Sequence, residues 1–204
     1  MADLQLHEEQ LFPTSVYRAH LGMLESVRSE LIADVLELVA SDPLPDVPGQ
    51  QTKGRLHERR EPRWRTVFDT LLAVVDYIGD RREPGSQRSW TVKSWGLVLD
   101  DGGSYDAIPV MTHSHWGYTW SSVLWLDLPD ALVESGFGGT AFRDPLSFVR
   151  RGTGEGEGIW HHARPSVLDL IVFPSYLEHL PSPPPPDTVF DRPRVVVATD
   201  FLLA

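Results

Sequence analysis

Three histidines carry the most specific chemistry that this sequence offers. In MTHSHWGYTWSSVLWLDLP (111–129), His113 and His115 stand one residue apart at the start of an aromatic, apolar run. In IVFPSYLEHLP (171–181), His179 closes a second apolar run. Residues i and i+2 of an extended strand project to the same side, so His113 and His115 would aim at one point. His179, from another strand across a barrel, would close a three-nitrogen set, and imidazole suits iron, zinc or copper. An H-x-H pair alone is a weak motif, and the same residues also read as surface or hydrogen-bonded histidines. Thiolate metal sites and disulfides are excluded, because the chain has no cysteine. His161 and His162 border a Gly-rich loop, His57 lies in the charged segment HERREPRW, and His7 and His20 are N-terminal. All five read as non-ligands.

The elements that must position these residues change character along the chain. Residues 20–40 place Leu21, Leu24, Val27, Leu31, Val35 and Leu38 at helical intervals, and Pro43, Pro45 and Pro48 stop the helix. RWRTVFDTLLAVVDYIGD repeats the pattern with Val67, Leu71, Val74, Val75 and Ile78. After residue 86 come SWTVKSWGLVLD, SSVLWLDLP, GTAFRDP, VLDLIVFP and RVVVATDFLLA, short runs rich in β-branched and aromatic residues. The expectation is one domain over 1–204, α+β but mainly β, with a helical flank (1–85) and a sandwich or barrel core (86–204). Asp100 and Asp101 before two glycines read as a hairpin turn, and FRDP as a turn rather than a catalytic pair. GTGEGEG is an acidic loop, and PSPPPPDTVFDRP is too rich in proline for a central strand.

Charge narrows the partners. The formal net charge is -11, and Lys53 and Lys93 are the two lysines of the chain. Phosphate backbones require cationic patches, so nucleic acid is not an expected partner. No run approaches the roughly 20 apolar residues of a membrane helix, and MADLQLHEEQ is too acidic for a signal peptide, so a cytoplasmic address is expected. The apolar N-terminal helices offer a surface on which two copies could pair as a homodimer.

The ordered series LFPTSVY, SWGLVLDDGGSY, HSHWGYTWSSVLWLDLPD, GGTAFRDP, IVFPSYLEH and RVVVATDF resembles, from Leu11 to Phe201, a family of small iron(II)/2-oxoglutarate-dependent oxygenases. That family shows L-F-P-T, H-x-H, S-G-V-Y-Y, F-x-D-P and F-P-S-W-L-x-H ahead of an arginine strand. The resemblance implies a double-stranded β-helix, a jelly-roll or cupin-like barrel with the N-terminal helices packed on it. It implies His113, His115 and His179 as ligands of Fe(II), and Arg194 on the far carboxylate of 2-oxoglutarate, where a guanidinium forks onto two oxygens. Trp125 would donate its indole N–H to the co-substrate, Ser121 would supply a polar contact, and Trp116, Tyr118 and Trp120 would wall the cavity above the metal. The activity implied is oxygenation of a small molecule, most often hydroxylation, with O2 consumed and succinate and CO2 released.

The sequence departs from that pattern. His115 stands where many related oxygenases have a carboxylate, so either three imidazoles hold the metal or water, Asp106 or Asp144 takes one place. Trp125 replaces a tyrosine, and Val196 stands where a serine is expected. Two other readings share the barrel: a three-histidine cupin-like dioxygenase that does not use 2-oxoglutarate, and a non-catalytic barrel that binds a ligand or partner.

Overall fold

The computed structural model describes residues 14–42, 44, 51–99, 112–146, 160–182 and 188–204. In chain order these contain β1 (Tyr17–His20), α1 (Arg28–Ser41), α2 (Pro62–Arg82), β2 (Trp90–Leu99), β3 (Trp120–Asp127) and α3 (Asp130–Ser135). Then follow β4 (Thr140–Arg143), β5 (Trp160–His162), β6 (Asp169–Pro174), β7 (His179–Pro181) and β8 (Arg194–Leu203). The chain is mainly β. Five strands form one sheet in the order β1-β6-β3-β8-β2, and three form another in the order β5-β4-β7. All pairings between these strands are antiparallel.

The long strands β2, β3 and β8 each bury two different faces. Val195, Val197 and Phe201 of β8 join Val98 of β2 and Trp120, Leu124 and Leu126 of β3 in a core covered by the helices. The alternate residues, Arg194, Val196, Ala198 and Asp200 of β8, Trp95, Leu97 and Leu99 of β2, and Ser121 and Val123 of β3, face a cavity. Period two thus sets these two groups of residues on opposite faces of the sheet.

Helices α1 and α2 cover the first face with Leu31 and Val35 from one and Trp64, Val67, Leu71, Val75 and Ile78 from the other. They are clamped together by Asp34, whose carboxylate accepts from Arg63 at 2.6 and 2.8 Å and from the Trp64 indole at 2.7 Å. Gly96 sets how closely α1 lies on the sheet, because a Cβ there would meet Val35 Cγ1 at 2.6 Å. Gly96→Val is expected to cost about 1–3 kcal/mol through overpacking. Thermal unfolding checks this, with a fall of roughly 2–4 °C in Tm per kcal/mol for a chain of this size.

A second, smaller core lies where the two sheets meet, built from Trp125, Phe142, Ile171, Phe173 and Val196. Phe142 and Phe173 meet edge to face at 4.9 Å. One strand falls inside the stretch expected to be helical: β1 lines the sheet edge beside β6. Its sequence, YRAH, has half-buried and exposed residues in alternation and no β-branched side chain, so its pairing is a tertiary effect. The three-residue strands β5 and β7 are too short to show a period. The Asp100–Asp101 turn and GTGEGEG lie outside the described residues.

Candidate metal centre

His113 and His179 are brought together by backbone pairing. The two residues exchange hydrogen bonds, His113 N–H to His179 O at 3.0 Å and the reverse at 2.9 Å. A hydrogen-bonded antiparallel pair sets both side chains on one face, and the rings stand 4.5 Å apart. His179 therefore comes from the paired neighbouring segment and not from across a barrel as expected. His115 follows two residues after His113 in an extended segment, its N–H donated to Ser175 O at 2.8 Å. Its ring is 5.1 Å from each of the others. Ligand atoms of His113, His115 and His179 lie within 4.8 Å of one another.

The outer nitrogens are held by acceptors. His179 Nδ1 lies 2.9 Å from Leu177 O, and His115 Nδ1 lies 2.6 Å from Asp200 Oδ1. A carbonyl or carboxylate oxygen can only accept, so each Nδ1 carries a proton, and in the neutral ring the lone pair is then on Nε2. This tautomer is the one a metal-binding imidazole needs. Burial pushes His179 down to about 3 from its ordinary 6.5, with the neighbouring His113 and then His115 adding to the effect.

That depression has a consequence for the metal-free protein. A histidine held neutral in the folded state but protonated in the unfolded chain below pH 6.5 makes stability fall as pH drops from about 6.5 towards 3. Denaturant titration of the metal-free protein is expected to show this acid loss, and His179→Asn is expected to flatten it. An equal slope in both proteins would contradict the assignment.

The histidines open onto a cavity of about 530 Å³ that also reaches Arg194, Ser121, Trp116 and Tyr118. Arg194 is 2% exposed, and its Nε donates to Gly138 O at 2.6 Å. Gly138 adopts φ +83°, a conformation that turns its carbonyl inward at little steric cost only for glycine. Trp116 forms the exposed rim at 83% exposure, and half-buried Tyr118 stands inside it.

Two expected roles are corrected by this geometry. Trp120 does not wall the cavity: Gly117, at φ +92°, turns the chain, and Trp120 then packs against Tyr17 and under Arg82 on the helix side. Trp125 shares the Gly138 carbonyl with Arg194 through its indole N–H at 3.0 Å, so that donor is already engaged. Ser121 does reach the cavity; its hydroxyl donates to Asp200 at 2.7 Å and lies 2.9 Å from the Ser175 hydroxyl.

The other histidines and acids fall as follows. His20 pairs with Asp169 at 2.9 Å, His57 lies near Ser94 at 3.5 Å, and His162 bonds Ser182 at 2.9 Å. His161 is exposed on β5, and His7 lies outside the described residues. Asp144 caps the turn of FRDP by accepting Leu146 N–H at 2.9 Å and is not in the histidine group. Asp106 lies outside the described residues. Asp200 and Ser175 are the residues that sequence reading missed. The one available signal was a carboxylate inside the apolar strand RVVVATDFLL.

No family model matches the sequence, and no curated protein does. Solved structures do resemble the fold. A prolyl hydroxylase from Trichoplax adhaerens, in complex with a hypoxia inducible factor oxygen degradation domain peptide fragment, superposes with a TM-score of 0.59 at 13% identity. That match covers 92% of this chain and 83% of the other. A Pseudomonas putida prolyl-4-hydroxylase gives 0.54 at 14% identity, covering 93% and 92%. An oxidoreductase of the 2OG-Fe(II) oxygenase family from Burkholderia pseudomallei gives 0.53 at 16% identity, covering 92% and 84%. At these identities the similarity establishes a shared fold over nearly the whole chain.

Proposed function

We propose that this protein is an iron(II)- and 2-oxoglutarate-dependent oxygenase acting on a small molecule, with its sheets arranged as a double-stranded β-helix. The observation that carries the reading is the convergence of His113, His115 and His179 on a cavity that also holds the buried guanidinium of Arg194. The donor set fits the metal. As neutral rings His115 and His179 carry their Nε2 lone pair opposite a fixed Nδ1–H, and imidazole is a good ligand for iron.

In this reading His113, His115 and His179 hold Fe(II), and Arg194 binds the far carboxylate of 2-oxoglutarate through a charge-assisted fork. With O2, the bound iron and co-substrate supply oxidative decarboxylation to succinate and CO2, coupled to oxygenation of the substrate. Trp116 and Tyr118 orient the substrate at the mouth, and Leu97, Phe173 and Val196 give the cavity apolar walls. A cavity of about 530 Å³ lies within the range of small-molecule sites. The test is turnover: Fe(II), 2-oxoglutarate and O2 are expected to yield succinate, measured by mass spectrometry. No succinate with intact iron binding would contradict the co-substrate assignment.

One observation favours a second reading. The clustered donor atoms are imidazole nitrogens alone among the described residues, the set of a three-histidine dioxygenase that does not use 2-oxoglutarate. Arg194 separates the two, because only the first needs it for a co-substrate.

A further inference from the structure

We infer that Asp200 is a positioning residue for the metal site, supplying through His115 the negative charge that the three imidazoles lack. The inference rests on the metal-binding role proposed above. Asp200 lies on β8, opposite Ser121 of β3 and Lys93 of β2, and is 3% exposed. Its Oδ1 accepts from His115 Nδ1 at 2.6 Å and from the Ser121 hydroxyl at 2.7 Å, and Ser121 in turn lies 2.9 Å from the Ser175 hydroxyl.

Two imbalances meet here. A buried carboxylate is costly unless a positive charge faces it. Among the described residues the ion-pair partner of Asp200 is His115 alone. Three neutral imidazoles, conversely, leave the full charge of a divalent cation uncompensated. A cation on the opposite nitrogen of His115 polarises the Nδ1–H towards Asp200 and answers both at once. Asp200 also fixes the ring: with Nδ1–H pinned, Nε2 faces His113 and His179. Ser121 and Ser175 keep the carboxylate from rotating away. The charge usually given by a direct carboxylate ligand is thus delivered one hydrogen bond further out.

The experiment is anaerobic titration of the metal-free full chain with Co(II) alone, read by calorimetry and by the ligand-field absorption bands of the bound ion. Asp200→Asn keeps both acceptor hydrogen bonds and removes only the charge. It is expected to weaken Co(II) binding 10- to 100-fold, the range typical of outer-shell partners, and to shift the bands. Circular dichroism is expected to match the parent. Equal affinity and unchanged bands in Asp200→Asn would overturn this inference while leaving the metal site standing. Absence of Co(II) binding by the parent protein would overturn both. Should Asp200→Asn fail to fold, Ser121→Ala decides. It leaves the carboxylate less fixed and is expected to weaken Co(II) binding about 10-fold, the size of one hydrogen bond to a charged group. No change there would also overturn the inference.

Discussion

Replacing His179 by alanine is expected to abolish metal binding while leaving the chain folded. His179 is the buried member of the trio, walled by Phe173 at 4.7 Å and Phe142 at 6.3 Å between ring centres. Burial has pushed its protonation down to about 3, so its lone pair stays available well into the acid range. Its loss is therefore expected to lower metal affinity by more than the roughly 100-fold upper range of an outer-shell change. The fold is expected to survive, because the pairing with His113 uses backbone atoms that alanine retains. What is lost is one hydrogen bond to the Leu177 carbonyl and some packing, about 1–3 kcal/mol. Calorimetric titration with Fe(II) or Co(II), beside thermal unfolding, measures both. Full metal affinity in His179→Ala would contradict the assignment of this residue.

Replacing Arg194 by glutamine is expected to leave metal binding intact and to remove 2-oxoglutarate. Few arginines are as enclosed as this one, at 2% exposure, with Nε held by Gly138 O at 2.6 Å. Such anchoring fixes the plane of the guanidinium, so it can meet a carboxylate edge-on through two donors. Glutamine cannot make that fork. The expected loss in 2-oxoglutarate affinity is about 100-fold, close to 2.7 kcal/mol, with metal affinity changed less than threefold. Succinate formation falls with it. Unchanged turnover in Arg194→Gln would favour the three-histidine dioxygenase that needs no 2-oxoglutarate. Because Arg194 is buried, the thermal midpoint is measured on the same sample, so that unfolding is separated from lost binding.

Much of this candidate site is legible in the sequence, for local reasons. His113 and His115 converge because an extended segment imposes a period of two, and that period is a backbone property. The helices were legible because α1 and α2 are amphipathic, with one face on the sheet. What stayed hidden is tertiary. Asp200 reaches His115 only because β8 pairs with β3 and the chain then turns at Gly117, and the two residues are 85 positions apart. Trp120 was placed on the wrong side because β3 is apolar on both faces. Leu124 and Leu126 meet the helices while Val123 and Trp125 meet the cavity side, so alternation gave no sign of which face was which. The indole of Trp125 and the hydroxyl of Ser121 were free donors in the sequence; in the fold Gly138 and Asp200 take them.

The most direct measurement is an anaerobic titration of the full chain with Fe(II) and 2-oxoglutarate, followed by visible absorption. A weak charge-transfer band is expected to grow only when both are present, to saturate at one iron per chain, and to be missing in His179→Ala and in Arg194→Gln. A chain that retains no iron, or that binds iron yet never develops the band at saturating 2-oxoglutarate, would contradict the account.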